Sequence, residues 1–211
     1  MNLWPGNSFN MKSERPYIFV IGFNRCGTNT IHGFFQRNGY PSVHYGWYGK
    51  CLAVQMVKNC ISNKKVFEGF DIDFTVFSDL NFINNRICIE GNFLFRNMDR
   101  DYPDSFFIYN TRDIEKWIKS RLAYVNPNGI RLLDRYKKIY QTDNIDLIVG
   151  KWKELRGRFE QDLQEYFSGS DRLLVLNIES KDPAIQISNF LQKDLDPGAW
   201  GWLGKTIECN E

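Results

Sequence analysis

The sequence predicts an α/β fold, in which one parallel β-sheet is flanked by helices within a single domain. Three short apolar runs, at 17–21, 105–111 and 173–178, have the β-branched and aromatic composition of buried strands. Segments with apolar residues at spacings of three and four lie between and after these runs, as in amphipathic helices. Strands that alternate with helices favour parallel pairing through right-handed crossovers. Ligand-binding loops are therefore expected at the carboxyl ends of the strands.

The size and composition set limits on the protein class. A length of 211 residues with 43% hydrophobic residues suits one core and is short for two full domains. Residues 1–15 are polar and lack periodicity, so we expect a flexible N-terminal arm followed by a domain over 16–211. The balance of 27 basic and 25 acidic residues disfavours nucleic-acid binding, although it permits a local basic pocket.

The cysteines and the apolar stretches indicate a cytoplasmic protein. Five cysteines, an odd number with no CxxC pair, indicate neither a disulfide framework nor a zinc site. No apolar stretch is long enough for a transmembrane helix, and the N-terminus lacks the pattern of a signal sequence. We therefore expect reduced thiols and no transmembrane segment.

In chain order, the first strand leads through a loop into a helix that carries Ile31, Phe34 and Phe35 and ends at a C-cap signal, Asn38-Gly39. A short strand candidate at 42–45 and a helix at 50–61 follow. Residues 64–91 mix aromatic and acidic side chains with neither a period of two nor one of 3.6, so we predict irregular structure beside the site.

The second half contains the remaining elements. Helices are predicted at 92–102, 113–125, 145–167 and 182–191, and the last of these is expected to bury Ile185 and Phe190. Strands are predicted at 105–111 and 173–178, both of them buried. Residues 126–144 show no clear periodicity.

The loop after the first strand has the features of an oxyanion site. Gly22 and Gly27 flank Arg25, and short polar residues begin the following helix. Such a junction presents unpaired N–H groups and the positive end of a helix dipole. The spacing resembles the nucleotide-binding loop G-x-x-x-x-G-K-[ST], but Thr28 takes the place of the lysine and Asn29 that of the magnesium-binding hydroxyl. We therefore predict a P-loop-like anion site that works without metal.

A second anion site is predicted at the end of the second strand. Arg112 follows that strand, and Ser120 lies about two helical turns later on the same face. Two anion sites on adjacent strand ends imply a ligand with two separated anionic groups, such as a nucleotide phosphorylated on its ribose. Arg25, within the first site, is placed to neutralise an oxygen that gains charge as a bond breaks.

These motifs resemble those of sulfotransferases that use 3′-phosphoadenosine 5′-phosphosulfate (PAPS). The sequence FNRCGTNT at 23–30 is similar to the family's PK[ST]GTT[ST] loop, with Arg25 at the lysine position. The sequence NTRDIEKWIKS at 110–120 is similar to its 3′-phosphate motif, and LLVLNIESKDPAIQISNFL resembles a later strand and helix. The similarity covers about residues 17–192 and is greatest to compact bacterial sulfotransferases, which implies the sulfotransferase fold.

The resemblance also implies which residues bind the donor. Those expected around the 5′-phosphosulfate are Asn24, Arg25, Cys26, Gly27, Thr28, Asn29 and Thr30. Arg112 and Ser120 are expected to bind the 3′-phosphate, and no metal is required. The chain departs from the family at Asn24, which replaces a proline, and at Asn29, which replaces a threonine. The family's RKGxxG loop is not present as such, and Lys205 is its nearest substitute.

Sulfuryl transfer to a hydroxyl needs a base that takes the acceptor proton. His44 is the first candidate, because it follows a strand and titrates near neutral pH; Asp79 is the second and Asp73 a weaker third. His32 is expected to be structural or to lie near the loop. A set of aromatic residues is expected either to line an apolar or sugar-stacking acceptor pocket or to pack in the core: Tyr45, Trp47, Tyr48, Phe70, Phe74 and Phe77.

We therefore expect a PAPS-dependent sulfotransferase that acts on a hydroxyl or amine of a carbohydrate, lipid or small-molecule acceptor by in-line displacement. One alternative is a P-loop nucleotide or small-molecule kinase, which would depend on magnesium and bind ATP. Another is a non-catalytic nucleotide-binding module, which the substitutions at Arg25 and Asn29 leave open.

Overall fold

The structure is a computed structural model in which residues 16–201 are described. Over these residues the strands are β1 (Ile18–Val20), β2 (Ser42–His44), β3 (Gly46–Trp47), β4 (Lys50–Cys51), β5 (Val76–Ser78), β6 (Asn81–Ile83), β7 (Cys88–Glu90), β8 (Phe106–Thr111) and β9 (Leu173–Asn177). The helices are α1 (Thr28–Arg37), α2 (Leu52–Ile61), α3 (Phe95–Asp101), α4 (Ile114–Ala123), α5 (Leu132–Tyr140), α6 (Ile145–Tyr166) and α7 (Pro183–Leu191). Single 3₁₀ turns occur at Gly91–Leu94 and Pro197–Ala199.

A parallel five-stranded sheet forms the centre, in the order β2-β5-β1-β8-β9. All four pairings within it are parallel, whereas β3–β4 and β6–β7 are separate antiparallel hairpins. The predicted α/β fold with a parallel sheet is thus confirmed. Because β1 lies between β5 and β8, the loop that follows β1 lies beside the ends of both neighbours.

Strand β1 is buried on both faces, which explains its continuous apolar sequence. Phe19 packs in one cluster together with residues of α4 and α6, such as Trp117 and Phe159. Ile18 packs in the other cluster, together with Phe34 of α1. Each fully buried side chain of this size stabilises the fold by about 1.5–3 kcal/mol, so the two clusters hold the sheet rigidly beneath the loops.

Several predicted helices are confirmed, with ends that their capping residues explain. Helix α6 spans almost the whole predicted range and begins after Asn144, whose side chain accepts a hydrogen bond from the Leu147 N–H. Helix α4 begins after Asp113, which accepts from the Lys116 N–H in the same way. Residues 92–102 form a 3₁₀ turn followed by α3 rather than one continuous helix.

The prediction of irregular structure at 64–91 is wrong, because this stretch contains β5 and the β6–β7 hairpin. Strand β5 has only three residues, which is too short for a period to be visible. Residues 126–144, for which no element was predicted, contain α5.

Two predicted apolar segments are more exposed to solvent than the sequence predicted. Strand β9 was predicted to be buried, but it lies at the edge of the sheet and Val175 is 56% exposed. Ile185 was predicted to face inward and is 43% exposed. The buried residues of α7 include Ala184, Ile187 and Leu191, because a helix that starts at Pro183 turns these positions toward the sheet.

The predicted N-terminal arm, Lys205 and Cys209 lie outside the described residues. Between residues 16 and 201, no helix has both the length and the apolar composition needed to cross a bilayer.

Candidate functional site

The loop after β1 is fixed to β8 by one side chain. The Gly22 N–H donates to Asn110 Oδ1 at 2.8 Å, and Asn110 Nδ2 donates to the Cys26 carbonyl at 2.7 Å. A Cβ atom on Gly22 would lie 2.0 Å from the Asn110 carbonyl oxygen, so only glycine allows this approach. Asn110 therefore holds both ends of the loop in one position.

Gly27 ends the loop and forms the N-cap of α1. Its φ of 78° is left-handed, and a Cβ atom there would come within 2.8 Å of Ile178 Cδ1. Because glycine has no side chain, it gives α1 no capping hydrogen bond, in contrast to the caps of α4 and α6. The N-terminus of α1 thus remains suited to an anionic ligand.

Arg25 connects the loop to the predicted 3′-phosphate motif. Its Nε donates to Ser120 Oγ on α4 at 3.2 Å, and its guanidinium lies 4.4 Å from the centroid of the Tyr124 ring. The pKa of Arg25 is lowered, mainly by burial and also by the positive charge of Arg112. Tyr124 and Asp79 oppose this effect and raise the pKa. Two guanidinium groups close enough to affect each other favour a bound anion between them.

Arg112 is held at the end of β8 by several contacts. Its Nη2 donates to Glu179 Oε1 at 2.6 Å, and Arg156 Nη2 donates to the Arg112 carbonyl at 3.0 Å and to Thr111 Oγ1 at 2.6 Å. Within the described residues, Arg112 Nε is buried and has no hydrogen-bond partner. A donor that is buried and unsatisfied is what a phosphate oxygen would bind.

His44 and Asp79 meet at the ends of two paired strands. His44 pairs with Ser78 in the register of β2 and β5, so Tyr45 and Asp79 are the next residues on each strand. His44 Nε2 lies 3.2 Å from Thr28 Oγ1 and 3.8 Å from Asp79 Oδ2. Tyr45 and Asp79 both have left-handed backbones, with φ of 64° and 56°. Such strained residues cost about 1–3 kcal/mol each and concentrate at functional sites.

Burial affects the two candidate bases in opposite directions. It lowers the pKa of His44 to about 4, so the imidazole is neutral at pH 7. It raises the pKa of Asp79 to about 6, although the charge of Arg25 opposes this effect. Both groups are thus able to accept a proton at neutral pH, and Asp79 is the stronger base.

Comparison with known families identifies the family of this site. A family model described as a sulfotransferase domain matches residues 17–172, which include both predicted anion sites. The chain belongs to this sulfotransferase family. The resemblance seen in the two motifs is thereby confirmed. No curated protein matches the chain significantly.

The other predicted site residues of this sulfotransferase lie in different surroundings. His32 Nδ1 lies 2.8 Å from Ser42 Oγ. The centroid of its ring lies 5.4 Å from that of the His44 ring, so His32 is a neighbour of this candidate base. Asp73 is on an exposed turn. Phe70, Phe74 and Phe77 are core residues, which is the second of the two alternatives expected for the aromatic set. The other three members are exposed: Tyr45, Trp47 and Tyr48.

Residues that the sequence did not reveal lie beside the candidate site. Glu90, at the end of β7, accepts a hydrogen bond from the Tyr136 hydroxyl at 3.2 Å, and that hydroxyl also contacts Arg121 Nη2 at 2.5 Å. Burial raises the pKa of Glu90, and Arg121 and Tyr136 lower it, while the nearby charge of Asp79 adds to the rise. A polar residue at or near the end of an apolar strand was the available signal, both for Glu90 and for Asn110 on β8. In the part of the chain that is described, no cluster of histidine, cysteine or acidic residues is arranged to hold a metal ion.

Proposed function

We propose that the protein transfers a sulfuryl group from PAPS to a hydroxyl or amine of a carbohydrate, lipid or small-molecule acceptor by in-line displacement. The observation that carries this proposal is the convergence of Arg25, Ser120 and Arg112 beside the uncapped N-terminus of α1. These groups suit a donor with two anionic ends, which PAPS has and which a simple phosphate ester lacks.

The donor would lie along the loop, with its 5′-phosphosulfate near residues 24–30 and its 3′-phosphate near Arg112 and Ser120. Thr28 and Thr30 are buried at the start of α1, and Asn29 is exposed. Cys26 contributes shape rather than a contact, because its N–H already donates to the Phe23 carbonyl and its own carbonyl accepts from Asn110. Burial also raises the pKa of the Cys26 thiol to about 12, so it stays neutral.

In the reaction, the acceptor oxygen attacks sulfur while the bond between sulfur and the bridging phosphate oxygen breaks. Asp79 takes the acceptor's proton, since it is the stronger of the two candidate bases and lies beside His44. His44 positions Thr28 through its Nε2 contact and lies next to Asp79. Arg25 stabilises the negative charge that develops on the departing phosphate oxygen. Adenosine 3′,5′-bisphosphate and the sulfated acceptor are the products.

A cytoplasmic location is part of the same proposal. Cys26, Cys51, Cys60 and Cys88 are free thiols, as expected in a reducing compartment.

Two measurements test this function. Calorimetry should show tight binding of adenosine 3′,5′-bisphosphate and much weaker binding of ATP, and transfer of labelled sulfate should persist in EDTA. The variant Arg112→Ala should lose most bisphosphate affinity, whereas Arg158→Ala, on the exposed face of α6, serves as the matched control. Tight ATP binding with no response to the bisphosphate would favour a kinase. Bisphosphate binding without transfer to any acceptor would favour the non-catalytic module.

A further inference from the structure

The β6–β7 hairpin carries a group of buried polar atoms without partners. Asn81 and Glu90 are direct cross-strand neighbours, so their side chains lie on the same face of the hairpin. Among the described residues, Asn81 Nδ2 and Glu90 Oε2 are buried and have no hydrogen-bond partner, and the same holds for both polar atoms of Asn92. Asn81 is 8% exposed and Asn92 2%. Protein interiors rarely leave such atoms unsatisfied, so their concentration on this hairpin and on the 3₁₀ turn that follows it indicates a ligand that satisfies them.

This polar face lies next to the proposed base. Strand β6 begins two residues after Asp79, and the Gly91 N–H donates to the Leu80 carbonyl at 2.7 Å, which closes the hairpin against the end of β5. The charge of Asp79 is close enough to raise the pKa of Glu90. Glu90 Oε1 is held by Tyr136, which leaves Oε2 as the free acceptor of this carboxylate. A ligand whose reacting oxygen approaches Asp79 therefore has these groups beside it.

An exposed aromatic surface directly follows the end of β2. Tyr45 directly follows His44, and Tyr45, Trp47 and Tyr48 are 44%, 48% and 88% exposed. The Trp47 ring is held by edge-on contacts, with its centroid 4.9 Å from that of Tyr48 and 5.4 Å from that of Phe74. The β3–β4 pairing fixes this segment against the site, since the Leu52 N–H also donates to the Tyr45 carbonyl at 2.8 Å. A fixed, exposed aromatic ring suits a ligand with a flat apolar face.

We propose that the acceptor is a neutral carbohydrate, whose hydroxyl groups bind Asn81, Glu90 and Asn92 while the apolar face of a sugar ring packs on Trp47 or Tyr45. A pyranose ring combines several hydroxyl groups with an apolar face, so it satisfies both surfaces at once. A fatty alcohol or a simple phenol has one hydroxyl group and would leave the hairpin atoms unpaired. Two neighbouring carboxylates, Asp79 and Glu90, disfavour a sugar acid. The inference rests on the proposed sulfotransferase activity.

The acceptor class is tested with the full chain and labelled PAPS. The neutral probes are the methyl glycosides of glucose, galactose, mannose and N-acetylglucosamine; the others are methyl glucuronide, 2-naphthol and 1-octanol. We expect kcat/KM for the best neutral glycoside to exceed that for 2-naphthol and 1-octanol by about 100-fold or more, because a site built for hydroxyl groups rejects ligands that lack them. Transfer to naphthol or octanol but to no neutral glycoside would overturn the carbohydrate assignment and leave the sulfotransferase function intact. If the bisphosphate does not bind and no acceptor is sulfated, both the sulfotransferase function and the carbohydrate assignment are overturned. If the bisphosphate binds but no glycoside is sulfated, the carbohydrate assignment is overturned.

Variants of the two surfaces provide a second test. Asn81→Leu and Trp47→Ala should each raise KM for the glycoside about tenfold and leave bisphosphate affinity unchanged. Asn189→Leu, on an exposed position of α7, is the matched control and should change neither value. Since Asn81 Nδ2 has no partner in the fold, Asn81→Leu should keep or raise Tm. A lowered Tm or an unchanged KM would contradict a ligand-binding role for Asn81.

Discussion

Arg25 Nε lies 3.2 Å from Ser120 Oγ, so the two predicted anion sites are joined by one side chain. The contact joins the loop after β1 to Ser120, the seventh residue of α4. The loop and α4 follow β1 and β8, which are neighbours in the sheet. Asp79 is close enough to affect the pKa of the same arginine. A single guanidinium therefore lies between Ser120 of the predicted 3′-phosphate motif and the proposed base.

Replacing Arg25 tests this position. We expect Arg25→Ala to lower kcat by about 100-fold or more, the loss typical of removing one group that stabilises transition-state charge. Arg25→Lys should retain more activity, because lysine also places a positive charge at the bridging oxygen. The measurement is kcat at saturating PAPS together with calorimetric affinity for adenosine 3′,5′-bisphosphate. Equal activity in the wild type and in Arg25→Ala would remove Arg25 from the mechanism, and Arg158→Ala controls for loss of a surface charge.

The pH dependence distinguishes Asp79 from His44 as the base. A base must be deprotonated to act, so with Asp79 in this role kcat/KM should fall as the pH drops through about 6. With His44 in the role, activity should persist to about pH 4. Asp79→Asn should also lower kcat by about 100-fold to 10,000-fold. Asp73→Asn, which changes an exposed acid on the preceding turn, should have no effect. An unaltered profile in Asp79→Asn would assign the base elsewhere.

The spacing of residues along the chain predicted the grouping around the loop after β1 better than the grouping around Asp79, for a physical reason. Gly22, Gly27 and Arg25 lie on one loop, and Arg112 and Ser120 on one strand and helix, so their spacing along the chain determines their geometry. Glu90 comes near Asp79 only through the packing of a hairpin, and no local period encodes that proximity. Helix α5 has Leu132, Leu133 and Tyr136 at helical spacing, but the charged residues among them obscured the pattern.

Asp79 is also expected to destabilise the fold at neutral pH. Its folded pKa of about 6 lies above the ordinary value of 3.8, so protonation favours the folded state. That stabilisation is complete below pH 3.8 and is lost as the pH rises through 6. Asp79→Asn should therefore raise the free energy of unfolding by about 3 kcal/mol at pH 7 and by less at pH 5. The value at pH 7 corresponds to a pKa shift of about two units in a side chain that is 17% exposed. Urea denaturation at both pH values measures the difference, and an equal effect at both would contradict it.

The glycines of the loop offer a test that needs no substrate. Gly27→Ala should lower the free energy of unfolding by about 1–3 kcal/mol, because it forces a left-handed backbone on a residue with a Cβ atom. That Cβ atom would also lie 2.8 Å from Ile178 Cδ1. Bisphosphate affinity should fall as well, because the start of α1 moves. Gly157→Ala is the matched control: it lies within α6 with no neighbouring atom within 4 Å, so alanine there should stabilise the protein by about 0.5–1 kcal/mol. Thermal melting and calorimetry on both variants decide the matter, since equal stability of the two would mean that the loop at Gly27 is not constrained as described.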